Sequence, residues 1–190
     1  MSNAPTLETE RLILRPFVPE DAEELHRILN LDGILRYFPG PGNPDMERVE
    51  RFISRQTEQW REKGYAWWAV ETKADRRLLG WNGLQYLPET DETEIGFLID
   101  KAFWGRGLTP EAGRASLRFG FETLGLGEVI ALAHPENTAS QRVMEKLGLP
   151  FVEETVYFDM EVRRFVLSAA DYRAAREVDS EPGPAASTTA

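Results

Sequence analysis

The hydrophobic positions of this chain repeat with two different periods, and the changes of period mark its elements. Arg11-Leu12-Ile13-Leu14-Arg15 alternates as a half-buried strand does and stops before Pro16. From Glu20 to Leu31 the spacing becomes helical, with Ala22, Leu25, Ile28 and Leu29 on one face. Residues 36–44 hold three prolines and two glycines and are predicted irregular. Asp45 then opens a helix bearing Val49, Phe52, Ile53 and Trp60, with Gly64 beyond its end. Tyr65–Thr72 and Leu78–Leu87 form a predicted hairpin around a charged turn at Asp75. Further strands are expected at Thr93–Ile99, Glu128–Ala133, Phe151–Phe158 and Glu161–Leu167, with helices at Thr109–Leu124 and from Asn137 to Leu147. Mostly consecutive strands interrupted by helices give an α+β fold on a mixed, largely antiparallel sheet of about seven strands.

Chemistry concentrates first in the link from Ile99 to the helix at Thr109. Trp104-Gly105-Arg106-Gly107-Leu108-Thr109 has two glycines, so backbone N–H groups can point outward without side chains in the way. Thr109 is a good N-cap and Pro110 suits the first helical position. A strand, a glycine turn and a helix N-terminus make an anion site suited to a pyrophosphate. The pattern lacks the third glycine of a dinucleotide fingerprint and the Gly-Lys-Ser/Thr ending of a P-loop.

A second segment narrows the reading. The buried strand 128–133 runs into His134-Pro135-Glu136-Asn137-Thr138-Ala139-Ser140. There Asn137 caps a helix with Ala139, Val143, Met144 and Leu147 on its apolar side, and Gly148 stops it. With both motifs present, the chain resembles the GNAT superfamily of acyl-CoA N-acyltransferases. Its Trp-Gly-Arg-Gly turn, Pro-Glu-Asn-x-x-Ser helix and Lys-Leu-Gly ending look most like the branch of ribosomal-protein N-terminal acetyltransferases. The resemblance covers Thr6 to Tyr172 and implies one acetyltransferase domain there. It also implies that strands 93–99 and 128–133, the family's fourth and fifth, splay apart to admit a pantetheine arm.

Composition limits the alternatives. Hydrophobic residues make up 42% of the 190 and charged residues 28%, the balance of a globular domain. There is no apolar run long enough for a transmembrane helix and no basic-then-apolar leader, so a cytoplasmic protein is expected. Cysteine is absent, which removes disulfides, thiolate metal sites and a cysteinyl intermediate, and a count of two histidines argues against a zinc site. The net charge of −10 repels nucleic acid and suits amine partners. Expected partners are a small-molecule or peptide amine, with a homodimer allowed and neither nucleic acid nor membrane involved. From Arg173 the composition shifts to Ser, Pro, Ala, Thr and charges, and 173–190 is expected to be a flexible tail.

Amine acetylation needs a proton taken from the ammonium, a polarised thioester and a protonated leaving thiolate. Trp104 to Thr109 are expected to grip the pyrophosphate of acetyl-CoA, with Arg106 adding charge. Thr109 stands where the family commonly has Gly or Ala. The backbone of Leu98 and Ile99 is expected to meet the pantetheine amides as an added strand would. Asn137 and Ser140 complete the cofactor side, although capping alone accounts for Asn137. By resemblance, Ser140 protonates the thiolate. Many relatives use a tyrosine on that helix and this one has none, which leaves Ser140, Tyr157 or solvent. Glu94 is the preferred base: it shares a strand face with Gly96 and Leu98, beside a glycine where a ligand could approach. Acidic neighbours Asp91 and Glu92 would raise its pKa. A solvated strand carboxylate is the plain alternative, and Asp159 is the second candidate. Trp67, Trp68, Trp81 and Tyr86 read as packing, although Trp81 or Tyr86 could wall an acceptor pocket covered by 37–44. The other functional class to weigh is a catalytically silent acyl-CoA sensor.

Overall fold

The computed structural model describes residues 4–180 and contains one eight-stranded sheet. In chain order the elements are β1 (Leu7–Glu8), β2 (Leu12–Arg15), α1 (Ala22–Leu29), α2 (Met46–Lys63), β3 (Trp67–Thr72), β4 (Leu78–Leu87) and β5 (Glu92–Ile99). They continue with α3 (Leu108–Arg118), β6 (Glu128–Ala133), α4 (Thr138–Lys146), β7 (Phe151–Tyr157), β8 (Met160–Ser168) and α5 (Ala169–Ser180). The strand order is β1-β2-β3-β4-β5-β6-β8-β7, antiparallel at every step except β5–β6. The strand beyond the expected seven is β1, whose two residues are too few to show a period.

Local signals account for most boundaries. Asp45 caps α2 by accepting the Arg48 N–H at 2.8 Å, and Gly64 ends it at φ 76°. Helix α1 is shorter than its hydrophobic stripe, because Pro19–Asp21 forms a 3₁₀ turn whose Asp21 carboxylate holds the Val18 N–H and Arg15. Helix α3 starts at Leu108 rather than at Thr109. Gly107, at φ 75°, is the N-cap, and its left-handed backbone turns the chain into the helix before the threonine is reached. After Arg118 the helix passes into a π-helical turn, Phe119–Thr123. Composition points to a flexible tail from Arg173, yet α5 continues to Ser180. Its Tyr172 stacks on Phe121 at 4.5 Å and donates to Glu122. The remainder of that segment, 181–190, lies outside the described residues.

Both faces of the central strands are covered, while β7 at the sheet's edge is largely exposed. Helices α1 and α2 pack Leu25, Ile28, Val49 and Ile53 against Ala69, Trp81 and Leu98. On the other face, α3 and α4 pack Leu117, Met144 and Leu147 against Leu84, Ile95 and Val129. Pairing within the sheet is thinnest at one place. Strands β4 and β5 pair from Gly80 to Leu87, whereas β5 and β6 share a single register pair, Glu94↔Ile130.

Candidate active site

Beyond Glu94 the edge of β5 faces a cavity of about 490 Å³ between α3, α4 and the α1–α2 loop. Trp104, Gly105, Gly107, Leu108 and Thr109 all border it. Gly105 and Gly107 have φ values of 74° and 75°. A Cβ on Gly105 would meet nothing within 4 Å, so the turn presents bare backbone to the cavity. Among the described residues, no side chain caps α3. Its first N–H groups are therefore unclaimed and carry the positive end of the helix dipole. The donor set suits a diphosphate. Arg106 does not border the cavity; its guanidinium lies 4.9 Å from the Phe103 ring.

The geometry of β5 redistributes the expected backbone contacts. Asp100 donates its N–H to the Leu79 carbonyl at 2.7 Å. Bonded and open pairs alternate in antiparallel sheets. In the observed register, Trp81↔Leu98 is consequently a bonded pair and Gly80↔Ile99 an open one. Leu98 thus spends both main-chain groups on β4 and offers the cavity its side chain only. Phe97 and Ile99 turn their main-chain groups toward the gap. The Ile99 carbonyl accepts from Trp104 Nε1 at 2.6 Å, leaving its N–H. Phe97 escapes sequence reasoning because strand periodicity assigns side chains to faces and does not say which residues bond to which neighbour.

Asn137 and Ser140 also border the cavity. Asn137 Oδ1 caps α4 by accepting the Ser140 N–H at 3.2 Å, while the Ser140 hydroxyl makes no hydrogen bond among the described residues. Tyr157 is elsewhere engaged, donating its hydroxyl to Glu92 at 2.6 Å. Asp159 stands in the β7–β8 turn at φ 59° and does not border the cavity. The α1–α2 loop reaches over the site, where Tyr37 stacks on His134 at 5.1 Å and Arg36 pairs with Glu136. Trp81 is buried against Trp67, Phe52 and Phe38, and Tyr86 donates to Asp91 away from the cavity.

Glu94 sits at the closed end of the gap, at the pair that joins β5 to β6. It is buried rather than solvated, and the Trp67 indole stands over Gly96, its neighbour on the same strand face. The place beside Gly96 is not open to a ligand: a Cβ there would already lie 2.9 Å from the Trp67 ring. Burial pushes the Glu94 carboxyl up to about 7, against the pull of the Gln85 amide that donates to it. Glu92 adds to the rise. Desolvation is thus the main cause, ahead of the charge repulsion expected from sequence. Glu92 itself is held below its ordinary value: burial pushes it up, but hydrogen bonds from Tyr157, Thr90 and Arg164 outweigh that.

One support of the glycine turn has no sequence signal, because its partners are a hundred residues apart. Glu111 on α3 accepts the Arg11 N–H at 2.8 Å, Arg11 Nε at 2.7 Å and the Thr9 hydroxyl. Arg11 Nη1 in turn donates to the Arg106 carbonyl at 2.9 Å. Burial pushes the Glu111 carboxyl up, but these donors hold it below the usual range. Glu111→Gln should cost roughly 1–3 kcal/mol of stability and raise KM for acetyl-CoA several-fold, because the turn loses its tether. Unchanged melting and unchanged KM would remove the tether from the account.

The model of the acetyltransferase (GNAT) domain family matches residues 11–150. The uncharacterized N-acetyltransferase YoaA of Bacillus subtilis is 34% identical over 148 residues, 76% of this chain and 82% of YoaA. The FsC-acetyl coenzyme A-N(2)-transacetylase of Aspergillus fumigatus is 33% identical over 159 residues, 78% of this chain and 66% of that protein. The fold matches the ribosomal-protein-S5-alanine acetyltransferase of Vibrio fischeri with a TM-score of 0.73, at 16% identity, covering 88% of this chain and 98% of that one. With a diphosphate-type turn, an unpaired strand edge and a family match over most of its length, the chain belongs to the GNAT acetyltransferase family and is an acyltransferase.

Proposed function

We propose that the protein moves an acetyl group directly from acetyl-CoA to a primary amine, either a protein N-terminus or a small amine. The observation that carries this reading is the cavity flanked by the uncapped N-terminus of α3, the open edge of β5 and the free Ser140 hydroxyl. The diphosphate of acetyl-CoA would lie on the N–H groups of 105–109. The pantetheine would run along Phe97 and Ile99 toward Glu94. A Phe97 or Ile99 N–H is positioned to polarise the thioester carbonyl.

In the reaction, the ammonium loses a proton to Glu94 through a water, since the carboxylate lies behind the cavity wall. The neutral amine attacks the thioester carbon, forming the C–N bond. The C–S bond then breaks as the nitrogen sheds its second proton to solvent, to which Glu94 also returns the first. The departing thiolate takes a proton from Ser140, which is restored from solvent. Burial suits Glu94 to this work, because a base with a pKa of about 7 is both available and strong enough near neutrality.

A thiol-release assay with acetyl-CoA and a panel of amines and N-terminal peptides tests the proposal. Amine-dependent thiol release, with acetyl found on the amine, is the expected result. Tight binding of acetyl-CoA without release for any acceptor would favour a silent acyl-CoA sensor instead.

A further inference from the structure

Among the described residues four carboxylates are buried: Asp21, Glu71, Glu94 and Asp100. Three of them are held by guanidinium groups. Asp21 takes Arg15, Glu71 takes Arg15 and Arg76, and Asp100 takes Arg27 and Arg77. Glu94 is the exception. The one side chain that hydrogen-bonds it among the described residues is the neutral amide of Gln85, whose Nε2 donates to Oε2. Burying a carboxylate without a cation costs stability, and the other three buried carboxylates avoid that cost.

Register fixes this pair. Gln85 stands opposite Glu94 across β4 and β5. The alternation that makes Trp81↔Leu98 a bonded pair makes Gln85↔Glu94 one as well, so the two residues exchange both main-chain hydrogen bonds. Their side chains share a sheet face, within reach of each other. From β6 the facing residue is the apolar Ile130, and the Trp67 indole over Gly96 keeps its Nε1 unbonded among the described residues. Glu92, on the same strand, is the charged group that acts on Glu94, and Glu92 is itself held by Arg164 and Tyr157.

The choice of an amide has a chemical consequence. A guanidinium at this place would keep Glu94 ionised and leave it a weak base. An amide orients the carboxyl without adding charge. Nε2 can bond Oε2 when Glu94 is a carboxylate, and also after Oε1 has taken a proton, because Oε2 then remains as the carbonyl oxygen. Oε1 makes no hydrogen bond among the described residues and is the oxygen left to receive that proton.

Resting on the reading that Glu94 is the base, we infer that Gln85 is its positioning residue, holding Oε2 in both protonation states and leaving Oε1 to exchange protons with the acceptor through water. It acts through Glu94 rather than on the acceptor.

Gln85→Met, close in volume and lacking a donor, tests the inference, and Gln85→Leu repeats the test with a second shape. Carbon-13 NMR titration of the glutamate carboxyls in the full chain reads Glu94 directly and without an acceptor, its signal being the one lost in Glu94→Gln. The midpoint should lie at about 7 in the wild type. It should stand about 1–2 pH units higher in either Gln85 variant, the shift expected from losing one hydrogen bond to a charged group. The acid limb of kcat/KM should move with it. Each variant should then be roughly 5- to 50-fold slower than wild type at about pH 7 and approach it above about pH 9, with KM for acetyl-CoA unchanged. Adding Gln85→Met to Glu94→Gln should slow the enzyme no further. Circular dichroism confirms that the half-buried substitution leaves the fold intact. A midpoint and limb that stay in place while activity falls equally at every pH would overturn the inference, as would a further loss in the double variant. Full activity of Glu94→Gln would instead sink the base reading itself, and this inference with it.

Discussion

Replacing Glu94 by Gln should lower kcat/KM roughly 100- to 1000-fold at pH 8, the range for losing a general base, with acetyl-CoA affinity nearly unchanged. In the wild type, kcat/KM should rise with pH through about 7, as the buried carboxyl gives up its proton. The Glu94→Gln variant should have no such limb. The same substitution has an opposite effect on stability. An unperturbed glutamate ionises near 4.5, whereas buried Glu94 keeps its proton to about 7. Between those values the folded state binds the extra proton. Stability therefore falls as pH rises across that window and levels off above it. The loss amounts to about 3 kcal/mol. A glutamine carries no charge to bury and can still meet the Gln85 amide. The variant should melt roughly 5–10 °C higher than wild type at pH 8 and show little advantage at pH 5. A variant less stable than wild type at pH 8, or one that keeps the acid limb, would take Glu94 out of the mechanism. Loss of catalysis with gain of stability marks a group held at a cost for function.

Gly107→Val should weaken acetyl-CoA binding roughly 100-fold, through the strain it places on the phosphate-binding backbone. The reason is conformation rather than collision. A Cβ on Gly107 would come no nearer than 3.7 Å to Arg11 Nη2, an ordinary contact. The obstacle is φ 75°, where a β-branched residue is strained by about 1–3 kcal/mol. Relief of that strain rotates the peptides on either side, and those peptides carry the N–H groups aimed at the diphosphate. Gly107→Ala should fall between the two, since alanine tolerates the left-handed region better than valine. Titration of each variant with acetyl-CoA, alongside circular dichroism to confirm the fold, measures the effect. Wild-type affinity in the Val variant would show that the diphosphate is held somewhere else.

These two residues show how the site divides between what is written locally and what is assembled at distance. Gly105, Gly107, Asn137 and Gly148 are legible in sequence because each encodes a backbone state within a few residues: a left-handed turn, a cap, a stop. The order of elements is legible for the same reason, since periods of two and 3.6 reflect local geometry. The N-cap of α3 falls two residues before its expected place, because Gly107 and Thr109 both carry N-terminal signals and only the backbone path chooses between them.

What the chain does not state locally depends on partners far away in sequence. Burial of Glu94 is set by the packing of the fold, so its raised pKa belongs mainly to the tertiary structure and less to its acidic neighbour Glu92. The hydrogen-bond phase of β4 against β5 assigns the open edge to Phe97 and Ile99 and closes Leu98, a choice that side-chain alternation does not reveal. Thr9 and Arg11 meet Glu111 across the fold, and α3 meets α4 through Gly113 and Leu147. Sequence alone determined most of the elements and the glycine turn, because backbone preference acts over a few bonds. Only the folded chain decided which groups are dry, which edges are free and which charges face the cavity, because desolvation and strand pairing are properties of neighbours in space.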